Sequence, residues 1–276
     1  MNPWLRSAIL GLVQGLTEFL PVSSDGHLTL VESFLPGMRP SLTLNIFLHG
    51  ATFLAIIVYF YKDIGFLIQG FVMSFVPMFR ARSYQPILRD EWMSSAWLIF
   101  LASIPTGLVG LALRRPTETF FMTRPFAAAG EVFTGVWILA AYALLRWHQR
   151  RGRLRTTIHV WQALAVGLMQ GIAVLPGVSR SGSTVGMGLM FGIHPQKMAR
   201  FSFLMAVPAL AAALLLEAPV LAQPGILSAA AALGFGIAFV TGLGAIHIFL
   251  RTINETWLWI YGVYCLLLGG AVLLSG

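Results

Sequence analysis

Long apolar runs dominate this chain and limit the folds open to it. Seven runs of mainly apolar residues are spread along the sequence, at 42–61, 64–79, 93–113, 126–145, 201–217, 226–250 and 256–274. About 20 such residues cross a bilayer as a helix, although 64–79 is short for this and needs a favourable tilt. Backbone amides find no water in the hydrocarbon, and barrel strands would alternate polar and apolar residues, which these runs do not. We therefore predict an all-α, polytopic membrane helix bundle.

The charged residues agree with this prediction and argue against a nucleic-acid-binding domain. Only 10% of the residues are charged, whereas soluble domains carry about a quarter. The formal net charge is +8, but the basic residues stand at the ends of apolar runs instead of forming one basic face. The densest basic segment, 146–155, is predicted to be a cytoplasmic loop by the positive-inside rule. Arg80, Arg82 and Arg89 indicate a second cytoplasmic loop.

An internal repeat divides the chain into two related parts. A shift of 156 residues aligns GLVQGLTEFLPVSSDG (11–26) with GLMQGIAVLPGVSRSG (167–182), and seven positions are identical. In each copy a proline, Pro21 or Pro176, followed by serines and glycines, interrupts the apolar stretch. Paired interruptions of this kind indicate a midplane site formed by broken helices. We predict one domain over 1–276, with repeats at about 1–125 and 156–276, two re-entrant helical hairpins and an inverted arrangement.

The second interruption has the composition of a phosphate-binding segment. Its sequence, PGVSRSGST (176–184), places Arg180 among hydroxyl side chains and glycines. Glycines let backbone amides approach an anion, hydroxyls donate hydrogen bonds to its oxygens, and a guanidinium offers two parallel donors. The candidate phosphate ligands in this segment are Ser179, Arg180, Ser181, Ser183 and Thr184. The alternative is a Ser/Gly-rich helix junction without a ligand.

The first interruption places an acid within apolar surroundings. Gln14 and Glu18 are four residues apart and share one helix face. An ionisable residue in a membrane segment is costly, so Glu18 is a candidate functional residue, as is Arg180. The alternative is that Glu18 and Arg180 pair only to hold the two repeats together.

The residues after Pro21 add a nucleophile and an acid or base. Ser23 and Ser24 are candidate nucleophiles if a base stands beside them, and Ser23 is also a candidate phosphate ligand. His27 can act as a general acid or base near neutral pH. Asp25 is either a turn residue or a catalytic or metal-binding residue.

Other polar residues carry weaker signals. His49 lies within an apolar run, and either faces the predicted pocket or is a core histidine bonded to a backbone carbonyl. Glu131 and Glu217 are expected to lie near helix ends, where their side chains reach water. The single cysteine, Cys265, is predicted to be a core or lipid-facing residue, and it has no partner for an intramolecular disulfide.

At its two polar motifs the chain resembles the bacterial undecaprenyl-diphosphate phosphatase family, the membrane enzymes associated with bacitracin resistance. The resemblance spans nearly the whole chain. It is carried by GLVQGLTEFLPVSSDGHL (11–28), LHGATFLAIIVYF from Leu48, GLMQGIAVLPGVSRSGST (167–184) and ARFSFLMAVPA from Ala199. It implies hydrolysis of undecaprenyl diphosphate to the monophosphate and inorganic phosphate, which recycles the lipid carrier for peptidoglycan synthesis. It also implies an inverted-repeat bundle in the bacterial inner membrane, with a site reached from the periplasmic side.

The resemblance assigns roles to the matched residues. Glu18 corresponds to the essential acid of the first motif and Ser24 to a proposed nucleophile, with an activated water as the alternative. His27 corresponds to a proposed acid or base and Arg180 to the phosphate clamp. Ser179 and Thr184 correspond to further phosphate ligands. The implied partners are a polyprenyl diphosphate and membrane lipids, without nucleic acid, and a homodimer is left open.

Two positions depart from the family pattern and affect the expected cofactor. The family uses a divalent cation, magnesium or calcium, near its acidic residues. It commonly has glutamate where this chain has Gln14, and threonine where this chain has Asp25. We therefore expect a cation site formed by Gln14, Glu18 and Asp25, in which Asp25 replaces the missing carboxylate.

Two other functions fit parts of the same pattern. A transporter or flippase of a lipid phosphate or an anion would also use paired broken helices, but would not need Glu18, Ser24 and His27 together. The type-2 phosphatidic-acid phosphatase superfamily has a central motif similar to SSDGH. However, no matching His/Asp pair follows the SRSGST segment.

Overall fold

The computed structural model describes residues 2–34, 42–80, 84–117, 123–221, 228–253 and 257–275. Within these ranges the backbone is helical apart from turns and one isolated bridge between Arg155 and Ile193. The helices are α1 (Pro3–Thr17), α2 (Ser24–Phe34), α3 (Leu42–Tyr59), α4 (Tyr61–Arg80), α5 (Gln85–Arg89), α6 (Glu91–Pro116), α7 (Arg124–Arg150), α8 (Val160–Ile172), α9 (Arg180–Met190), α10 (Pro195–Leu216), α11 (Ala218–Leu221), α12 (Ala229–Thr252) and α13 (Leu258–Leu274). The all-α prediction is confirmed.

Six of these helices are long and apolar enough to cross a membrane: α3, α4, α6, α7, α10 and α12. Each coincides with one of the predicted apolar runs. The last run forms α13, which is apolar but has 17 residues. Residues 226, 227 and 256 of the predicted runs, and Arg82 of the second basic loop, lie outside the described residues. The chain is a multi-pass membrane protein.

Both interrupted motifs form a pair of short helices joined by a turn. In the first pair α1 ends at Thr17 and α2 begins at Ser24; in the second, α8 ends at Ile172 and α9 begins at Arg180. The Ser23 hydroxyl accepts a hydrogen bond from the Gly26 amide, and the Ser179 hydroxyl accepts one from the Gly182 amide. The repeat in the sequence therefore encodes the same N-terminal cap for α2 and α9.

The long helix α7 relates the two pairs to each other. Near its start, Arg124 stacks on the ring of Phe34, the last residue of α2. Near its end, the His148 ring lies 3.1 Å from the carbonyl of Met190, the last residue of α9. The helices α2 and α9 therefore run in opposite directions along α7, and their N-termini meet near its middle. We call the two ends of the bundle the Arg124 end and the Arg150 end.

Glycines shared by the two repeats allow close helix packing. A Cβ atom on Gly11 would collide with the carbonyl of Gly234 in α12, and one on Gly167 would collide with the carbonyl of Ala102 in α6. The first helix of each pair thus packs against a long helix from the other half of the chain. Small residues permit this approach, which is the usual source of helix association in membranes.

Apolar side chains fill the space between the two halves. The fully buried rings of Phe19, Phe60, Phe203 and Phe249 contact one another edge to face or tilted, with centroids 5.7 to 6.0 Å apart. Phe19 directly follows the acid of the first motif, so the polar turn rests on this aromatic cluster. The cluster keeps the turn in a fixed place because aromatic cores are close-packed.

Candidate active site

The carboxylate of Glu18 is the meeting point of the two polar motifs. Its Oε1 atom accepts a hydrogen bond from Arg180 Nη2 at 2.7 Å, and its Oε2 atom accepts one from Ser24 Oγ at 2.6 Å. The glutamate is 7% exposed, so its charge is paired inside the bundle. The structure therefore brings together Glu18, Ser24 and Arg180, as the sequence predicted.

Helix geometry explains why these three residues meet. Glu18 is the residue directly after α1, whereas Ser24 and Arg180 are the first residues of α2 and α9. Ser24 and Arg180 are aligned by the 156-residue shift, so the two repeats present matching positions to one carboxylate. Two helix N-termini also point their free amide groups and partial positive charge towards this place. Such an arrangement is suited to binding an anion.

Two further side chains, Gln14 and His49, lie next to the carboxylate. Gln14 Nε2 donates a hydrogen bond to Glu18 Oε2 at 3.1 Å and another to the Thr52 hydroxyl at 3.3 Å. His49 Nε2 lies 3.6 Å from Glu18 Oε2 and 3.4 Å from Asp25 Oδ1. The other ring nitrogen of His49, Nδ1, is hydrogen-bonded to the Asn45 carbonyl at 2.9 Å. His49 therefore faces the site through one ring nitrogen and is bonded to a backbone carbonyl through the other. The two alternatives predicted for this histidine both apply.

The His27 ring is directed away from this group. Its Nδ1 atom is 2.7 Å from the Ser23 carbonyl, and its Nε2 atom is 2.7 Å from Tyr264 Oη. Both ring nitrogens thus have partners other than Ser24 and Glu18. Ser23 is buried and has a φ of 60°, which is unusual for a residue other than glycine. The structure therefore places Ser23 and His27 beside the group formed by Glu18, Ser24 and Arg180, and not within it.

The hydroxyl groups of the second motif are mostly occupied by protein partners. Ser181 donates to the Leu20 carbonyl at 2.9 Å, and Thr184 donates to the Arg180 carbonyl at 2.8 Å. Ser179 caps α9, and Ser183 is 1% exposed. These side chains fix the start of α9 and connect it to the first turn. Arg180 is the member of the motif that reaches Glu18.

Glu131 is an acid whose position the sequence did not reveal. Its expected place near a helix end is wrong: the side chain is fully buried in α7, and neither carboxylate oxygen has a hydrogen-bond partner in the part of the chain that the structure describes. The Oε1 atom lies 3.3 Å from His27 Nδ1. Cys265 is buried in the adjacent α13, as a core residue. Gly26 leaves room for this acid, because a Cβ atom there would collide with Glu131 Oε1, and this packing is visible only in three dimensions.

The predicted cation ligands, Gln14, Glu18 and Asp25, differ in burial and in hydrogen-bond partners. Within the described ranges, no three His, Cys, Asp or Glu side chains are placed to hold a metal ion together. Glu18 is shared by Ser24 and Arg180, while the Asp25 side chain is 58% exposed. Among the described residues the buried Gln14 Oε1 atom has no hydrogen-bond partner. A cation held by this set would have to complete its shell with phosphate oxygens and water, as magnesium usually does.

Comparison with known proteins gives one consistent family. The model of the family described as bacitracin resistance protein BacA matches residues 7–271. The chain is 36% identical over 277 residues to the undecaprenyl-diphosphatase of Desulfosudis oleivorans, with 100% of this chain and 99% of that protein covered. It is also 36% identical to the undecaprenyl-diphosphatase of Methanosphaera stadtmanae, with 96% and 95% covered. It is 34% identical to that of Korarchaeum cryptofilum, with 97% of each covered.

The two motifs that form the site, at 11–28 and 167–184, both fall within the matched region. The match extends over both repeats and over the long helices that pack against them. The chain belongs to the BacA bacitracin resistance protein family.

Proposed function

We propose that this chain is an integral membrane phosphatase that hydrolyses undecaprenyl diphosphate to undecaprenyl phosphate and inorganic phosphate. The observation that carries the proposal is the shared carboxylate of Glu18, which contacts a hydroxyl nucleophile and a phosphate-binding guanidinium at once. The names of the relatives support the substrate, and the family name supports a role in bacitracin resistance. Release of the monophosphate would recycle the lipid carrier for cell-wall synthesis.

The reaction begins at the Ser24 hydroxyl. Its Oγ atom attacks the terminal phosphorus while its proton passes to Glu18 Oε2, 2.6 Å away. The bond from phosphorus to the bridging oxygen breaks, and its electron pair leaves with the polyprenyl monophosphate, which takes the proton from Glu18. Water then attacks the phosphoserine: its hydroxyl joins phosphorus, the bond from phosphorus to Oγ breaks with its electron pair left on Oγ, and the remaining proton of the water passes to Oγ. An activated water that attacks directly is the alternative nucleophile.

Arg180 stabilises the charge of the phosphoryl group during these steps. Its Nη2 atom is bonded to Glu18, whereas its Nη1 atom is buried and without a hydrogen-bond partner among the described residues. That free donor is available to an equatorial phosphate oxygen. The backbone amides at the starts of α2 and α9 add further positive potential. Because α9 is held by Ser179, Ser181 and Thr184, these donors are fixed before the substrate binds.

A divalent cation, magnesium or calcium, belongs to this proposal. Gln14 Oε1, Glu18 and Asp25 would hold it together with the diphosphate. Its chemistry would be neutralisation of the diphosphate oxygens and stabilisation of the leaving phosphate. Asp25 then supplies the carboxylate that Gln14 does not.

We also propose an inverted repeat with two re-entrant hairpins in the bacterial cytoplasmic membrane. The opposite directions of α2 and α9 along α7 support the inverted relation. Each pair of short helices is too short to cross the hydrocarbon twice, which supports hairpins that turn back near the midplane. The basic segment 150–155 marks the Arg150 end as cytoplasmic, so the first hairpin enters from the periplasmic side. The diphosphate would reach Ser24 and the exposed Asp25 from that side.

A carrier of lipid phosphates is the alternative, and the opposed hairpins are the observation that favours it. Transporters with inverted repeats place broken helices in the same way. A carrier, however, has no use for a serine hydroxyl held 2.6 Å from a buried carboxylate. Phosphate release therefore separates the two functions.

The test is hydrolysis by the purified full-length chain in detergent. The protein is incubated with a polyprenyl diphosphate, with magnesium, calcium or a chelator, and released phosphate is measured. We expect release by the wild type and little by Glu18→Gln or Arg180→Ala. Glu217→Gln is the matched control, since that acid pairs with Arg114 at the end of α10 and belongs to neither motif. Absence of phosphate release from the wild type with every cation would favour the carrier.

A further inference from the structure

The helix α7 lies against both hairpins and contacts the turn region of each. A Cβ atom on Gly130 would collide with the Pro176 carbonyl, and one on Gly177 would collide with the Ala127 carbonyl. Gly26 of the first hairpin lies against the Glu131 carboxylate, and close to Gly177, so tightly that a side chain has no room. The same stretch of α7 thus fixes how near the two turns approach.

Thr134 connects α7 to the second turn by two hydrogen bonds. Its hydroxyl donates to the Gly177 carbonyl and accepts from the Ser179 amide, both at 3.0 Å. Gly177 has a φ of 81°, and Ser179 is the cap immediately before Arg180. One buried hydroxyl therefore bridges the two backbone groups that lead into the arginine. Among the hydrogen bonds of the described residues, none joins Thr134 to Glu18.

Glu131, one helical turn before Thr134, is linked to the first turn through His27. His27 Nδ1 contacts both the Ser23 carbonyl, at 2.7 Å, and Glu131 Oε1, at 3.3 Å. On its other side the ring is held by Tyr264 Oη at 2.7 Å. Residues three apart in a helix share a face, so Glu131 and Thr134 present one surface to the two turns.

Two features of this arrangement are costly and call for a function. Ser23 keeps a left-handed backbone conformation that persists in a non-glycine residue only where its surroundings enforce it. Glu131 is a fully buried acid, and among the described residues neither carboxylate oxygen has a hydrogen-bond partner, although Oε1 lies 3.3 Å from His27 Nδ1. Such burial is unfavourable for stability alone. The first cost falls at Ser23, which directly precedes Ser24. The second falls at Glu131, which contacts the His27 ring that in turn contacts the Ser23 carbonyl.

We propose that the face of α7 with Glu131 and Thr134 positions the two catalytic turns, Glu131 through His27 and Ser23, and Thr134 through Gly177 and Ser179. Through these contacts Ser24 and Arg180 meet at Glu18. Glu131, His27 and Thr134 are positioning residues that do not contact the reacting atoms. The proposal deepens the phosphatase function, and its account of Ser24 rests on that function.

The first test changes the hydroxyl that holds the second turn. We expect Thr134→Val to raise KM for a polyprenyl diphosphate by about tenfold or more, because a displaced Arg180 loses contact with phosphate. Thr134→Ser should restore KM to within about twofold of the wild type, since it keeps the hydroxyl. Loss of packing alone would predict the reverse, because valine keeps the volume and serine does not. Thr106→Val is the control: its hydroxyl donates to the Gly167 carbonyl within α8, before the second turn begins.

The second test changes the acid that faces the first turn. We expect Glu131→Gln to lower kcat by about tenfold or more with little change in KM, because the Ser24 hydroxyl is misaligned while phosphate binding by Arg180 is kept. His27→Asn, which removes the link between Glu131 and Ser23, should give the same change in kcat. In the double variant the two effects should not add, since both act through one contact.

A binding measurement separates this proposal from the phosphatase function. A polyprenyl methylenediphosphonate, which resists hydrolysis, is titrated into each purified variant, and its Kd is measured. Weaker binding by Thr134→Val but not by Thr134→Ser would support the positioning of Arg180 even in a chain that does not release phosphate. An unchanged KM and Kd for Thr134→Val would overturn the Thr134 contact, and an unchanged kcat for Glu131→Gln would overturn the Glu131 contact. A thermal melt of each variant confirms that the comparison concerns folded protein.

Discussion

At the scale of single residues, the site depends on one carboxylate with two different partners. The two oxygens of the Glu18 carboxylate bind the Ser24 hydroxyl and the Arg180 guanidinium side by side, at hydrogen-bond lengths of 2.6 and 2.7 Å. The acid can accept a proton from Ser24 on one oxygen while the arginine fixes the other. A buried ion pair adds little to stability, because desolvation offsets the attraction between the charges. Chemistry is therefore the better explanation for the presence of both charges inside the bundle.

Replacement of Ser24 tests its role as the nucleophile. Ser24→Ala should lower phosphate release about a thousandfold or more, because the covalent step has no alternative hydroxyl aligned with Glu18. Ser33→Ala is the control on the same helix, since that hydroxyl bonds only to the Leu30 carbonyl. The wild type, quenched in acid during turnover, should carry phosphate on Ser24 by mass spectrometry. Near-normal activity of Ser24→Ala would instead identify water as the nucleophile.

The cation site can be tested by changing the number of carboxylates around Glu18. Asp25→Asn should raise the magnesium concentration needed for half-maximal activity, because a charged oxygen ligand is lost. Gln14→Glu should lower that concentration, since it adds a carboxylate next to Glu18, where the amide now lies 3.1 Å away. Magnesium titrations of phosphate release measure both effects. Unchanged magnesium dependence in both variants would remove Gln14 and Asp25 from the cation site.

At the scale of elements, glycines determine which helices pair. Gly11 and Gly167 occupy matching places in the repeat and bring α1 onto α12 and α8 onto α6. The Cβ atom of alanine at either place would overlap a carbonyl oxygen of the partner helix. In contrast, the space around Gly107, also within α6, is open. Glycine is therefore required at the first two positions and is replaceable at the third.

Alanine substitutions test this distinction between glycines. Gly11→Ala and Gly167→Ala should each destabilise the protein by about 1–3 kcal/mol, the usual cost of overpacking. Gly107→Ala should be neutral or stabilising by about 0.5–1 kcal/mol, because alanine favours the helix. Thermal unfolding in one detergent provides the comparison. Equal melting temperatures for all three variants would show that stability does not need the close approach of α1 to α12 and of α8 to α6.

The elements also show what the sequence can and cannot predict. The apolar runs predicted α3, α6, α7, α10 and α12 with bounds close to those observed. This is possible because the length and hydropathy of a segment can be read without knowing what packs against it. The repeat aligned Ser24 with Arg180, and these two residues begin α2 and α9, since equivalent caps start equivalent helices. The direction of His27 and the burial of Glu131 were missed. Both depend on which face of α7 and α13 is covered by protein, and an apolar face looks the same whether lipid or protein covers it.

At the scale of the whole molecule, the distribution of charge and the course of α7 predict an orientation in the membrane. With 27 residues, α7 is about 40 Å long, which is enough to reach from one membrane surface to the other. Its last turn and the segment that follows carry Arg146, Arg150, Arg151, Arg153 and Arg155. Lys197 and Arg200, near the start of α10, lie at the same end, because the His194 amide donates to the Arg155 carbonyl. The Arg150 end is therefore expected in the cytoplasm.

Cysteine labelling in intact cells tests this orientation. The single native cysteine, Cys265, is fully buried and can be replaced by alanine to give a clean background. Thr123→Cys then marks the Arg124 end and Thr156→Cys the Arg150 end, both at exposed positions. A maleimide that does not cross membranes should label Thr123→Cys in intact cells, and Thr156→Cys only after the cells are opened. Labelling of Thr156→Cys alone in intact cells would reverse the orientation and place the entrance of the first hairpin, with Ser24 at its turn, on the cytoplasmic side.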